Sequence, residues 1–98
     1  MALSQIKRLI DQNRYDYTGK IRDRIEEGEF TEDDLATCIL TATKIYKKER
    51  DELSQSVDGM KYVIIGKDTQ GAAFYTAGKI RKDYSGKYYF FLTAHEAH

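Results

Sequence analysis

Residues 61–95 read KYVIIGKDTQGAAFYTAGKIRKDYSGKYYFFLTAH, three alternating runs separated by two turns with the same spelling, Asp68-Thr-Gln-Gly71 and Asp83-Tyr-Ser-Gly86. Asp at the first position and Gly at the fourth suit a type I turn whose last residue needs positive φ, the usual build of a three-residue hairpin loop closing on a glycine bulge. If each Asp pairs with the residue after its Gly, Asp68 faces Ala72 and Asp83 faces Lys87. Alternation then assigns every side chain to a face. One face collects Tyr62, Ile64, Phe74, Thr76, Ile80, Tyr88, Phe90, Leu92 and Ala94, which reads as a core. The other collects Val63, Ile65, Lys67, Tyr75, Ala77, Lys79, Arg81, Tyr89, Phe91, Thr93 and His95, a mixture of cations, phenols, a hydroxyl and an imidazole on which any chemistry is expected.

Upstream of this sheet the periodicity is helical. Leu3, Ile6, Leu9 and Ile10 recur at helical spacing behind Ser4, read as the N-cap, and the run ends near Gln12-Asn13. A second helix opens at Thr18, carries Ile21 and Ile25 one turn apart, and stops at Gly28. Thr31-Glu-Asp-Asp34 is the clearest helix start in the chain, an N-cap hydroxyl followed by three carboxylates at the positive end of the helix dipole. That third helix buries Leu35, Cys38 and Ile39, with Cys38 read as packing rather than as a reactive thiol.

Residues 43–48 carry a divided signal. Leu35, Ile39, Ala42, Tyr46 and Leu53 continue a helical stripe, whereas Thr41-Ala-Thr43 and Ile45-Tyr46 favour a strand. A strand over Thr43 to Lys48 is the expectation, because it would cover an edge beside Tyr62 to Lys67. Glu49 to Lys61 then reads as a polar loop anchored by Leu53, Val57 and Met60. The expected architecture is α+β, a single domain spanning 1–98, with two or three N-terminal helices packed on one face of a four-stranded antiparallel sheet.

Composition bounds the function. Ninety-eight residues suit one core and one site, 41% hydrophobic content with eight Tyr and four Phe argues for a folded globule, and 33% charged residues argue for a soluble one. The longest apolar stretch, Tyr88 to Ala94, is far short of a membrane span, and Met-Ala-Leu-Ser lacks the order of a signal peptide, so a cytoplasmic chain with no membrane partner is expected. A lone Cys38 fits a reducing compartment. The balance of 16 cations and 16 anions hides an asymmetry, since residues 61–87 hold six cations against Asp68 and Asp83.

Several familiar motifs are absent from the sequence. Gly66 to Gly71 lacks the Lys-Ser/Thr of a phosphate-binding loop, nothing resembles a serine elbow, a catalytic cysteine or a dinucleotide fingerprint, and no cofactor is implied. His95 and His98 sit at the chain end with only Glu96 to help, which reads as a frayed terminus and not as a metal site. The polar sheet face is more informative. Tyr75 faces Ile65 and His95 with Lys67 diagonal to it, and Arg81 faces Tyr89 with Lys79 one step along. Metal-free RNA cleavage needs a base, an acid and cations against the phosphorane charge. His95 or Tyr75 would move protons, Lys67, Lys79 and Arg81 would supply charge, and the phenols of Tyr75 and Tyr89 would stack on bases. The bland alternative is that Tyr and Lys are ordinary residues for the solvent face of an antiparallel sheet.

The order of elements adds a resemblance. Lys20-Ile-Arg-Asp-Arg24, Thr31-Glu-Asp-Asp-Leu35, Tyr62-Val-Ile-Ile-Gly66 and Tyr89-Phe-Phe-Leu-Thr-Ala-His95, together spanning Leu3 to His95, resemble an uncharacterised bacterial family of small domains grouped with BrnT and RelE-type toxins in the barnase, colicin and RelE nuclease fold. Where members of that family open the second helix with His and place Arg four residues on, this chain has Lys20 and Arg24. The resemblance implies helices on one side of a twisted antiparallel sheet and an active surface on the side they leave open. It implies a metal-independent endoribonuclease or an RNA-binding relative, the toxin of a toxin–antitoxin pair, with RNA and a cognate antitoxin-like protein as partners. The expected catalytic set is Lys67, Tyr75, Lys79, Arg81 and His95, with Lys20, Arg24, Tyr89 and Thr93 binding RNA. The alternative is a non-enzymatic module that docks a protein through the polar sheet face or an exposed edge strand.

Overall fold

A computed structural model describes residues 2–97. Three helices, α1 (Ala2–Asp11), α2 (Gly19–Glu26) and α3 (Glu32–Thr41), accompany five strands, β1 (Tyr15–Tyr17), β2 (Lys47–Arg50), β3 (Met60–Lys67), β4 (Ala73–Asp83) and β5 (Gly86–Glu96). The strands form one sheet in the order β1-β5-β4-β3-β2, in which β1 runs parallel to β5 and every other pair is antiparallel. No helix among the described residues is long and apolar enough to cross a membrane.

The helix boundaries follow local chemistry. Asn13 adopts a left-handed conformation just beyond α1, and Gly28 does the same after α2. Thr31 Oγ1 accepts from the Asp34 N–H at 3.2 Å while Asp34 Oδ2 accepts from the Thr31 N–H at 2.8 Å, a complete capping box at the start of α3. Thr18 caps α2 in the same manner, its hydroxyl accepting from the Ile21 N–H.

The sheet is α+β as expected but mixed and five-stranded, not four-stranded and antiparallel. The extra strand is Tyr15–Tyr17, three residues that follow α1 and lie along Tyr89, Phe90 and Phe91. A segment so short has no readable alternation. The expected strand over Thr43 to Lys48 is displaced to Lys47–Arg50, so only Lys47 and Lys48 are shared, and the ladder opens with the Tyr46 N–H donating to the Val63 carbonyl. Its register is set by pairing with β3 and not by the β-branched residues before it. The loop beyond it is anchored differently from the expectation, since Leu53 and Val57 are exposed and the buried group is the Asp51 carboxylate.

The first hairpin has the register expected, with the Asp68 N–H donating to the Ala72 carbonyl and Ile65 beside Tyr75. The second hairpin corrects it. Gly71 and Gly86 both have positive φ, yet Asp83 pairs with Gly86 and not with Lys87, and the compensating extra residue appears farther along β5. Gly78 pairs with Phe91 whereas Ala77 pairs with Thr93, which leaves Leu92 as a bulge. Between the turn and the bulge the faces of β5 are therefore exchanged. Tyr89 and Phe91 enter the core, and Tyr88 and Phe90 turn to the side that carries Lys79 and Arg81. Phe90 is directly opposite Lys79, so Phe90 and Leu92 do not join Phe74 in the core.

One layer of core thus lies between the helices and the sheet. Ile6, Leu9 and Ile10 of α1, Ile21 of α2 and Leu35, Cys38 and Ile39 of α3 pack on Tyr62, Ile64, Phe74, Ile80, Tyr89 and Phe91. Two glycines permit the closest approaches. At Gly66 a Cβ would lie 1.9 Å from the Cys38 carbonyl oxygen, so α3 rests directly on the β3 backbone. At Gly78 a Cβ would meet the Tyr89 ring at 2.7 Å, so that ring occupies the space a side chain would take. Burial first, and then the neighbouring Cys38 and Tyr62, push the Tyr89 phenol pKa well up, and its hydroxyl has no hydrogen-bond partner among the described residues.

Two stability outcomes follow from these contacts. Gly66→Ala should cost ~3 kcal/mol, because the obstructing atoms belong to helix backbone and cannot swing away; an unchanged denaturant midpoint would show that α3 does not sit on Gly66. Tyr89→Phe should raise stability by ~1 kcal/mol, because it removes a buried hydroxyl that lacks a partner and keeps the ring. Chemical unfolding of the two variants beside the wild type measures both.

Candidate functional site

The sheet face turned away from the helices carries Lys61, Val63, Ile65 and Lys67 on β3, Tyr75, Ala77, Lys79 and Arg81 on β4, and Tyr88, Phe90, Thr93 and His95 on β5. It divides into two regions. At the end near the β3–β4 turn, Tyr75 and His95 are cross-strand partners whose rings stack with centroids 4.5 Å apart and planes 12° apart. Lys67 lies diagonal to Tyr75 on the same face, exposed, and Thr93 is half-buried one step along β5. The His95 Nδ1 is 2.8 Å from the Glu96 carbonyl oxygen. A carbonyl can only accept, so Nδ1 carries a proton and Nε2 is left free for a ligand. β5 is paired with β4 as far as Glu96, which places His95 inside the sheet and corrects the reading of a frayed end; His98 lies outside the described residues.

The other region is closed. Lys79 is 1% exposed, its ammonium 3.2 Å from Asp51 Oδ1 and 2.9 Å from Gln55 Oε1. The loop of residues 51–59 is wrapped around that carboxylate. Asp51 Oδ2 accepts from the Gln55 N–H at 2.7 Å and the Ser56 N–H at 2.8 Å, Oδ1 accepts from the Leu53 N–H, and the Val57 N–H reaches the Ile80 carbonyl. Burial by itself would raise the Asp51 pKa, but the N–H groups of Ser56 and Gln55, the Lys79 ammonium and the Leu53 N–H outweigh it and bring it down to about 2. At the far end of the loop the Tyr62 hydroxyl donates to Asp58, and burial together with that anion pushes the phenol up to about 12. Arg81 lies beyond, its guanidinium 4.9 Å from the Phe90 ring centroid and 6.0 Å from that of Tyr88.

The expected residues are therefore only partly brought together. Tyr75, His95 and Lys67 share one region, with Thr93 at its margin. Lys79 is spent on Asp51, Arg81 is six residues along β4 from Tyr75, roughly 20 Å at strand rise, and Tyr89 is in the core, where no base can stack on it. Arg24, in the last turn of α2, does reach the site: it lines a cleft of about 250 Å³ with Glu29, Phe30, His95 and Glu96. Lys20, one turn earlier on α2, is exposed. β1 flanks β5 only at Tyr89 to Phe91, and past that point α2 and the residues after it flank the strand instead.

Glu29, Phe30 and Glu96 were not singled out in the sequence. Only their convergence from the α2–α3 connection and the end of β5 gives them a role, and an isolated Glu-Phe after a helix stop carries no signal of it. A second cleft of about 340 Å³ shares all three and continues to Thr31, Asp34 and Thr69. Its wall is held by Asp34, whose Oδ1 accepts from both the N–H and the hydroxyl of Thr69, at 2.9 and 2.8 Å. Burial would raise the Asp34 pKa, but the hydrogen bonds from Thr69 and Thr31 prevail and lower it.

Comparisons with known proteins find no matching family model, no matching curated protein and no matching solved structure. Among the described residues no three His, Cys, Asp or Glu side chains gather as metal ligands would. What remains is a stacked aromatic pair on an open sheet, Lys67 diagonal to it, and a small mixed-charge cleft at its edge that includes Arg24.

Asp51 gives this region a pH signature. Its folded pKa lies below the ordinary value of 3.8, so its contribution to stability is complete above that value and disappears as pH falls toward 2. Asp51→Asn should therefore be less stable than the wild type at pH 6, and the gap should narrow between pH 4 and pH 2. Urea midpoints measured across that range check this, and parallel curves for the two proteins would refute it.

Proposed function

We propose that this domain binds single-stranded RNA on the sheet face that the helices leave open. The observation that carries the reading is the Tyr75–His95 stack at 4.5 Å on the open face, with Lys67 diagonal to it and Arg24 lining the cleft at the β5 edge that His95 also borders. Unpaired bases stack on aromatic and imidazole rings with little regard to sequence, and phosphates follow cations placed alongside. A duplex would present neither free base faces nor a groove suited to a flat ring pair. That the chain belongs with the BrnT and RelE-type toxins is part of the same proposal and rests on the order of its elements.

Binding is better supported than cleavage. Of the three cations expected to stabilise the phosphorane, Lys79 is paired with Asp51 under a closed loop and Arg81 is at the other end of the strand, which leaves Lys67 alone beside Tyr75 and His95. A charge contributes to catalysis only when it faces the position where charge develops. The protein-docking alternative is favoured by one observation, the edge strand β2 with Tyr46 beside it at 63% exposure.

Fluorescence anisotropy with a labelled uridine-rich RNA separates these readings. Affinity should fall with salt with a log–log slope of about −2, as expected for roughly three neutralised phosphates on a single strand. Tyr75→Ala should weaken binding by about tenfold through lost stacking. Incubation with EDTA should leave the RNA intact; a 2′,3′-cyclic phosphate product would instead restore the endoribonuclease reading. Absence of salt-dependent binding would leave the protein-docking reading.

A further inference from the structure

We propose that the free edge of β2, together with the pocket beside it, binds an extended acidic segment of a partner protein as a sixth strand of the sheet. This surface lies at the sheet edge opposite β1 and is independent of the RNA-binding reading. β2 is the last strand in the sheet order, and all four of its residues are exposed. Lys47 pairs with Val63 and Glu49 with Lys61, and the Asp51 N–H donates to the Gly59 carbonyl at 2.8 Å, so residues 47, 49 and 51 turn their peptide groups toward β3. Lys48 and Arg50 therefore aim N–H and C=O away from the sheet, where nothing among the described residues bonds to them.

The side chains beside this edge define the guest. Lys48 shares a face with its cross-strand partner Tyr62, a core residue, which puts it on the side of the helices. There it lines a pocket of about 390 Å³ with Ala2 and Leu3 of α1 and with Thr43, Lys44 and Ile45 of the α3–β2 connection. Ala2, Leu3, Ile45 and the Lys48 stem give this pocket apolar walls, so a guest residue opposite Lys48 fits it with an aliphatic side chain. Around the pocket the charge is mostly of one sign. Within residues 44–50, Lys44, Lys47, Lys48 and Arg50 stand against Glu49 alone, and Lys47 holds that carboxylate at 3.6 Å. Cations on an edge strand repel a second copy of the same edge, and they attract a strand that carries carboxylates. RNA would also be drawn to these cations, but its phosphates only accept, which leaves the Lys48 and Arg50 carbonyls unpaired, and it has no aliphatic group for the pocket. Backbone pairing for affinity, with a pocket for one alternate side chain, is how an added strand is recognised.

The test selects binders to the intact protein from a phage-displayed library of random nine-residue peptides and measures the best of them by NMR and fluorescence anisotropy. Selected sequences should share an aliphatic residue flanked by Asp or Glu. Binding to the wild type should protect the amides of Lys48 and Arg50 from hydrogen exchange, whereas those of Lys47 and Glu49, already directed to β3, should change little. Lys48→Glu combined with Arg50→Glu should weaken the acidic peptide by at least about tenfold, and the same peptide with Lys in place of its acids should bind that variant. Circular dichroism checks that the variant is folded, and the amide protection needs no variant. No enriched sequence, or an acidic peptide that protects neither amide, overturns the proposal. So does protection of the same two amides by an oligouridine, which would assign the edge to RNA, or by raising the protein concentration alone, which would assign it to a second copy.

Discussion

Gly78 and the bulge opposite it decide which residues of β5 are core and which are surface. Without a side chain at 78, the Tyr89 ring settles over the β4 backbone, and the ladder accommodates it by leaving Leu92 unpaired. A bulge adds one residue to one strand and so reverses the facing of everything on one side of it. Here that reversal sends Tyr89 and Phe91 into the space under the helices and leaves Thr93 and His95 on the open face with Tyr75. The core and the candidate site are therefore set by the same irregularity. Continuous pairing from the observed Asp83–Gly86 turn would have kept Tyr89 and Phe91 in the core but set His95 opposite Phe74 on the helix face instead of beside Tyr75.

The Lys79–Asp51 pair supports the structure in a different way. Residues 51–59 contribute little apolar burial, with Leu53 70% exposed. They are held by one carboxylate that accepts from three backbone N–H groups and an ammonium. A buried ion pair contributes little net stability compared with apolar packing, yet loss of one partner leaves an uncompensated charge. Its role here is positional: it fixes an otherwise polar loop across the middle of the open face and removes Lys79 from contact with solvent. The accessible part of that face is thereby divided, with Lys67, Tyr75 and His95 at one end and Arg81, Tyr88 and Phe90 at the other.

That end of the sheet is bounded by helical elements as well as strands. Because β1 is only three residues long, β5 loses its parallel neighbour after Phe91, and Arg24, Glu29 and Phe30 flank it beyond that point. A longer β1 would have filled this space with backbone. The cleft exists because one edge strand stops early and a helix takes its place, bringing a cation and an anion to the margin of a stacked aromatic pair. The capping box at Thr31 and the Asp34 contacts to Thr69 hold the neighbouring wall, tying the start of α3 to the β3–β4 turn.

The sequence by itself determined the parts of this protein that depend on near neighbours. Helix starts at Thr18 and Thr31 and stops at Asn13 and Gly28 are caps, formed between residues a few positions apart, and the positive φ of Gly71 and Gly86 belongs to their own turns. The first hairpin's register, and with it the pairing of Ile65 with Tyr75, follows from one short loop. Tertiary structure alone decided the rest. The Leu92 bulge answers to a ring packing over Gly78 on another strand, β1 is a strand only because β5 is beside it, and Lys79 is buried because Asp51, twenty-eight residues earlier, folds back onto it. Glu29, Phe30 and Glu96 become a site only where three elements meet. Each of these depends on a contact between distant segments, and periodicity records which face a residue prefers, not which neighbour will be there to meet it.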